Sequence, residues 1–290
     1  MPLRINSETR LLGLIGYPVK QSLSPAIQNA AIRKLGLKAL YLAFEVKEED
    51  LSDAVKGFKA LNSLGFNVTI PHKLKIIQYL DELDTLAEQI GAVNTVVNKG
   101  NNLIGYNTDF YGIVNPILKK GWKLEGEKIA LIGAGGASLA CIFALKYLKV
   151  SELFIINRTL KKALELSNRA KIFGLKAEGL ELNEENLKEV LKEVKMLINA
   201  TPIGMYPNIK ESPLGDLKLG NVEYVFDMVY NPVNTRLLER AKEEGKEVIF
   251  GYEMLIEQAK ESFKLWFQIE PNFKVMVRAF FKEIKNYDKG

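Results

Sequence analysis

Lys128-Ile129-Ala130-Leu131-Ile132-Gly133-Ala134-Gly135-Gly136-Ala137-Ser138 reads as a buried strand, a glycine-rich turn and the opening of a helix. The next apolar run, Leu153-Phe154-Ile155-Ile156, ends in Asn157-Arg158-Thr159. Strand, turn, helix and strand in this order form a βαβ unit. Its glycines let the backbone approach a pyrophosphate, which rests on the N–H groups at the helix N-terminus. An acidic residue at the end of the second strand would bond the ribose 2′-hydroxyl of NAD. Arg158 stands there instead, a residue type that accommodates a 2′-phosphate. A glycine-rich turn by itself can be no more than a tight turn. With strand, helix and second strand end in register, the stretch points to a dinucleotide site and to NADP(H).

A chain of 290 residues fits one large or two medium domains. With 47% hydrophobic and 26% charged residues it has the composition of a globular protein with a sizeable core. No apolar run approaches the roughly 20 residues that cross a bilayer. Met1-Pro2-Leu3-Arg4-Ile5-Asn6 lacks the apolar stretch of a signal peptide, so a cytoplasmic location is expected. The net charge of +5 is spread among interleaved acids and bases, as in Lys47-Glu48-Glu49-Asp50 and Lys242-Glu243-Glu244. That is a mixed solvated surface, which argues against nucleic acid and suits a small anionic ligand. The single cysteine, Cys141, lies in an apolar helix pattern and reads as core. The single histidine, His72, cannot build a zinc site with it, so no metal is expected.

Residues 11–105 alternate between strand and helix patterns. Strands are expected at 11–15, 39–46 and 66–69, and a hairpin at 93–104 turns on Lys99-Gly100-Asn101. Ser24-Pro25 reads as an N-cap followed by Pro at N1, opening a helix to Leu35. Pro71 can start another helix, which would put Lys73 in its first turn. Thr108-Asp109 caps a helix to about Lys119. Strands are then expected at 128–132, 152–157, 195–199, 223–227 and 247–250, forming a parallel sheet with right-handed crossovers. Residues 252–286 are helical, with Leu255, Ala259, Phe263 and Trp266 at core spacing.

The first half carries polar residues that stability alone does not explain. Ser22-Leu23-Ser24-Pro25 puts two hydroxyls beside a helix N-terminus, an acceptor site for a carboxylate. Asn67-Val68-Thr69-Ile70-Pro71-His72-Lys73 ends a buried strand. A lysine in a first helical turn opposes the dipole, so Lys73 either serves a ligand or is simply solvated. Asp109 either caps its helix or holds Lys73 and a substrate hydroxyl by charge-assisted bonds.

Further motifs are Gly91-Ala92-Val93-Asn94-Thr95, Asn107-Thr108-Asp109, Asn199-Ala200-Thr201-Pro202 and Gly251-Tyr252-Glu253-Met254-Leu255. Together with those above, in this order and spacing and over nearly the whole chain, they resemble the shikimate dehydrogenase family. The resemblance implies a two-domain α/β fold: an N-terminal α/β substrate-binding domain and a Rossmann-type NADP-binding domain with a parallel sheet, with a cleft between them. The expected limits are 1–112 for the first, with helices of 252–290 packing back on it, and 113–251 for the second. The implied activity is NADPH-dependent reduction of 3-dehydroshikimate to shikimate, in aromatic amino-acid biosynthesis, by a monomer or homodimer. Lys73 and Asp109 match the family's catalytic pair. Ser22 and Ser24 would hold the substrate carboxylate, and Asn67, Thr69, Asn94, Tyr230 and Gln258 would complete the substrate site. Gly133, Ala134, Gly135, Gly136, Ala137, Ser138, Asn157, Arg158, Thr159, Lys162, Thr201, Gly251 and Met254 would bind NADP(H).

Two positions depart from the family pattern. Leu139 stands where members commonly carry Arg or Lys, and Lys162 replaces a second Arg, so a reduced preference for NADP over NAD is expected. Two other readings remain open at this point: a quinate dehydrogenase using NAD, and a non-catalytic NADP-binding regulator. The second would be expected to lack the Lys–Asp pair.

Overall fold

The computed structural model describes residues 5–287. The signal-peptide reading of Met1–Asn6 therefore falls mostly outside the described residues, as do the last three residues of the expected C-terminal helical segment. The chain divides into two compact units: Met1–Asp109 with Ile256–Gly290, and Phe110–Leu255.

The first unit runs β1 (Arg10–Gly16), α1 (Ser24–Leu35), β2 (Ala39–Glu45), α2 (Leu51–Ala60), β3 (Gly65–Val68), a 3₁₀ helix (Lys75–Tyr79), β4 (Glu82–Leu83), α3 (Thr85–Ile90), β5 (Thr95–Lys99) and β6 (Asn102–Tyr106), and reaches the first residue of α4 (Asp109–Lys120). The sheet has the order β2-β1-β3-β5-β6-β4. β1 lies parallel to β2 and β3, while β5 is antiparallel to β3 and β6. Phe58, Phe66, Val68, Ile76 and Val96 fill one core. The backbone runs close at Gly65, where φ is +149° and an added Cβ would lie 2.1 Å from the Val96 carbonyl oxygen. Trp266 donates its ring N–H to that same carbonyl at 2.9 Å. At the outer edge of the sheet the Asn29 side chain pairs with both backbone groups of Tyr41. Its oxygen accepts from the Tyr41 N–H at 2.9 Å and its nitrogen donates to the Tyr41 carbonyl at 2.7 Å.

The second unit contains β7 (Lys128–Ile132), α5 (Gly136–Tyr147), β8 (Glu152–Asn157), α6 (Leu160–Ile172), β9 (Lys176–Glu181), α7 (Glu184–Glu193), β10 (Met196–Asn199), β11 (Tyr224–Asp227), α8 (Arg236–Glu243) and β12 (Glu247–Ile249). Two helices follow, α9 (Gly251–Phe267) and α10 (Phe273–Tyr287), and α10 packs on α1 in the first unit's own core. The second sheet is parallel throughout, in the order β12-β11-β10-β7-β8-β9. The chain leaves β7 toward β8 on one side and returns to β10 on the other. The carboxyl ends of β7 and β10 thus flank the topological switch, where ligands bind in open α/β sheets. Among the described residues no helix is long and apolar enough to cross a membrane.

Three sequence expectations need correction. β9 was not expected as a strand, because Lys176-Ala177-Glu178-Gly179-Leu180-Glu181 carries charges and a glycine. It is an edge strand, where charge protects against further pairing. Gly179 is required by α6: an added Cβ there would lie 2.7 Å from the Ala163 carbonyl. Second, Pro71 starts no α-helix. The Lys73 carbonyl accepts from the Val93 N–H at 2.9 Å, so it is spent on a neighbouring segment rather than on a helical turn. Third, Leu23 rather than Ser24 occupies the N-cap of α1, without a side-chain cap bond, and Ser24 is the first helical residue.

Candidate functional site

In the first unit, five of the expected site residues form one hydrogen-bonded cluster. Lys73 Nζ lies 2.5 Å from Asp109 Oδ2, with side-chain exposures of 14% and 6%. The burial matters, because an exposed pair of this kind contributes little. The other carboxylate oxygen, Oδ1, accepts from Asn94 Nδ2 at 2.9 Å. Both Asp109 oxygens are therefore engaged by side chains from outside α4. The Asn94 amide has one permitted orientation: the Thr108 backbone N–H donates to its Oδ1 at 2.7 Å, so its Nδ2 must face Asp109. Gln258 Oε1, from α9, lies 3.4 Å from the same Nδ2.

Beneath this pair is a buried polar layer. Asn67 Nδ2 reaches the Asn94 carbonyl at 3.0 Å, Thr95 Oγ1 at 2.9 Å and Ser262 Oγ at 3.1 Å. Its Oδ1 accepts from the Tyr41 hydroxyl at 2.7 Å. Burial pushes the Tyr41 phenol up, so it remains a donor. Thr95, Thr108 and Ser262 hydroxyls lie 2.9–3.1 Å from one another. Sequence reasoning placed none of Tyr41, Thr95, Thr108 and Ser262 in the site, and gave Thr108 only a part in capping a helix. The legible signals were a phenol within an apolar strand, two threonines inside motifs already singled out, and Ser262 four residues after Gln258, on the same helix face.

Ser22 and Ser24 are joined by a local bond: Ser22 Oγ accepts from the Ser24 N–H at 3.3 Å. Ser24 is buried and Ser22 half-buried. Thr69 is half-buried at the end of β3, with its methyl against Gly16 and its N–H bonded to the Ile15 carbonyl.

In the second unit the turn after β7 is shaped for close approach. Gly133 has φ +116°, and an added Cβ would lie 3.0 Å from the Ala200 backbone and Thr201 Cγ2. An added Cβ at Gly135, the N-cap of α5, would meet nothing within 4 Å. Room beside a free helix N-terminus, with a glycine backbone at its mouth, fits a pyrophosphate. Ser138 is fully buried, and its Oγ accepts from the Gly135 N–H at 3.2 Å, so it braces the turn. Ala134 and Ala137 fall in the same turn and first helical turn, while Leu139 is buried and supplies no cation. At the end of β8, Asn157 Nδ2 donates to the Thr159 carbonyl at 3.0 Å and holds the bend. Arg158 and Lys162 project into solvent, and among the described residues neither side chain has an ion-pair partner. Thr201 donates its hydroxyl to Asn199 Oδ1 at 2.7 Å. Tyr230 is half-buried and Met254 buried; at Gly251 a Cβ would lie 2.3 Å from the Val229 carbonyl oxygen. Cys141 is buried and burial pushes its thiol up, which makes it core rather than nucleophile.

A parallel sheet in this order, with a glycine turn at its switch point, defines a dinucleotide-binding α/β protein, and the lysine–carboxylate pair of the first unit gives it the makings of a dehydrogenase. Comparison with known proteins is more specific. Residues 14–96 match the shikimate dehydrogenase substrate binding domain, 116–211 the shikimate / quinate 5-dehydrogenase family and 251–279 the shikimate 5′-dehydrogenase C-terminal domain. A shikimate dehydrogenase (NADP(+)) of Methanococcus maripaludis is 43% identical over 288 residues, covering 97% of this chain and all of the relative. A crystal structure of a shikimate dehydrogenase in complex with NADP⁺ superposes with a TM-score of 0.88 at 41% identity, over 97% of this chain and 98% of that one. The Listeria monocytogenes shikimate 5-dehydrogenase, solved with shikimate and NAD, gives a TM-score of 0.86 at 37% identity, over 95% and 97%. The chain belongs to the shikimate dehydrogenase family.

Proposed function

We propose that this chain catalyses the reversible NADPH-dependent reduction of 3-dehydroshikimate to shikimate, a step in the biosynthesis of chorismate and the aromatic amino acids. The observation that carries the reading is the buried Lys73–Asp109 pair, braced by an asparagine with one permitted orientation. NADPH, when bound, supplies the hydride. The Lys73 ammonium stabilises the developing alkoxide and donates its proton. Asp109 orients Lys73 and accepts from a neighbouring substrate hydroxyl. Ser22 and Ser24 hold the substrate carboxylate; Asn67, Thr69, Asn94, Tyr230 and Gln258 take the ring substituents. The turn Gly133 to Ser138 holds the pyrophosphate, with Thr201 against it. Asn157, Arg158, Thr159 and Lys162 hold the adenosine 2′-phosphate, and Gly251 and Met254 flank the nicotinamide. The enzyme works in the cytoplasm as a monomer or homodimer.

Steady-state assays with shikimate and quinate, each with NADP and NAD, test the reading. The highest kcat/KM is expected for shikimate with NADP. A preference for quinate with NAD would overturn it, and no turnover of any pair would favour a binding protein.

Asp109 and Lys73 are expected to act as one unit. Asp109→Ala combined with Lys73→Ala should lose about as much kcat as the more damaging single change. Losses that multiply would separate the two residues and leave Asp109 a structural role only.

A further inference from the structure

Asp227, at the end of β11, takes no part in the reading above. It is fully buried, and its register partner is Asn199, the last residue of β10. Asp227 Oδ1 accepts from Asn199 Nδ2 and from the Val229 N–H, each at 3.0 Å, and Oδ2 accepts from Thr235 Oγ1 at 2.6 Å. All three donors are neutral. Burial pushes the carboxyl up to about 6, against the pull of these bonds. A buried carboxylate without a cation is costly unless its oxygens are hydrogen-bonded, so the segments that supply these three donors are held to it.

The bonds lead from it toward the glycine turn. Asn199 is held in one orientation, because its Oδ1 accepts from both the N–H and the hydroxyl of Thr201, at 3.1 and 2.7 Å. Its Nδ2 must therefore face Asp227. The Ala200 backbone and the Thr201 methyl are what an added Cβ at Gly133 would meet, at 3.0 Å. On the other side, Thr235 Oγ1 also accepts from the Leu238 N–H at 3.3 Å and so caps α8. One carboxylate ties the segment after β10, the segment after β11 and the N-terminus of α8.

We infer that Asp227 is a positioning residue for the dinucleotide: through Asn199 it fixes the Ala200–Thr201 segment against which the Gly133 turn is seated. The inference rests on the NADPH reading of that turn. Its loss should weaken the cofactor rather than merely loosen the fold.

The test is the Kd for NADPH, from nucleotide fluorescence at a temperature where circular dichroism finds each variant folded, together with Tm. Asp227→Ala is expected to raise Kd by about tenfold, the loss typical of a hydrogen bond to a charged group. Asp227→Asn, which keeps one acceptor oxygen, should recover part of that loss. Should Asp227→Ala fail to fold, Thr235→Val, which removes one donor to Asp227 and with it the cap of α8, is expected to raise Kd about threefold while circular dichroism still finds the variant folded. A Kd within twofold of the native value in the folded variants, with Tm alone lowered, would overturn the inference. Failure of the native chain to bind NADPH would reject the cofactor reading and this inference together.

Discussion

Lys73→Ala is expected to lower kcat by roughly 10²–10⁴-fold, the range for a lost acid–base group, while KM for NADPH changes little. The expectation follows from where the ammonium sits. It is pinned at both ends: the Lys73 carbonyl takes the Val93 N–H, and Nζ is held by Asp109. Asp109 is in turn fixed by an asparagine that cannot flip. A side chain with four rotatable bonds is thereby reduced to one geometry, which is what a group that meets a developing charge requires. Cofactor affinity should survive because the glycine turn belongs to a different unit. Near-normal kcat in the variant would remove Lys73 from the reaction.

Arg158→Ala should raise KM for NADP by roughly 10–150-fold, since losing a charge-assisted hydrogen bond costs about 1.5–3 kcal/mol. KM for NAD should barely move, because NAD has no phosphate at that position. Arg158 is exposed at the end of β8 and is not spent on an ion pair among the described residues, so its guanidinium is available for bidentate contact. The discrimination is expected to rest mainly on this one residue. Leu139 is buried and apolar, and Lys162 offers a point charge rather than a planar fork. Measuring both constants in native and variant enzyme decides the matter. Equal weakening toward the two cofactors would show that Arg158 supports the local fold, and that the phosphate is read elsewhere.

The second unit was the more legible in sequence. Its strands β7, β8, β10 and β11 are short apolar runs, and a central parallel strand buried on both faces has to be one. β9 escaped notice for the complementary reason, that an edge strand is under no such demand. The first unit's site was legible as residue types and, through a family resemblance, as roles. Its geometry was not. Nothing in Asn94 or Thr108 taken singly says that a backbone N–H locks the amide toward Asp109, because that bond joins segments 14 residues apart in sequence. The Pro71 segment misled because proline fits a helix start and a turn equally well, and the deciding bond comes from Val93. Ser262 and Tyr41 were hidden by good periodicity: each occupies a position where an apolar side chain would satisfy the same pattern.

The pairing of Asn29 with Tyr41 bears on how this chain behaves when concentrated. β2 is the outermost strand of its sheet, and Leu42 beside Tyr41 is 40% exposed. Such an edge is ordinarily an invitation to strand recruitment by another molecule. Here the N–H and C=O that an incoming strand would seize are already occupied by a carboxamide from the same chain. A visiting strand would have to displace two formed bonds before gaining its own, so edge-to-edge polymerisation at the centre of this strand is disfavoured without any charge or proline being placed there.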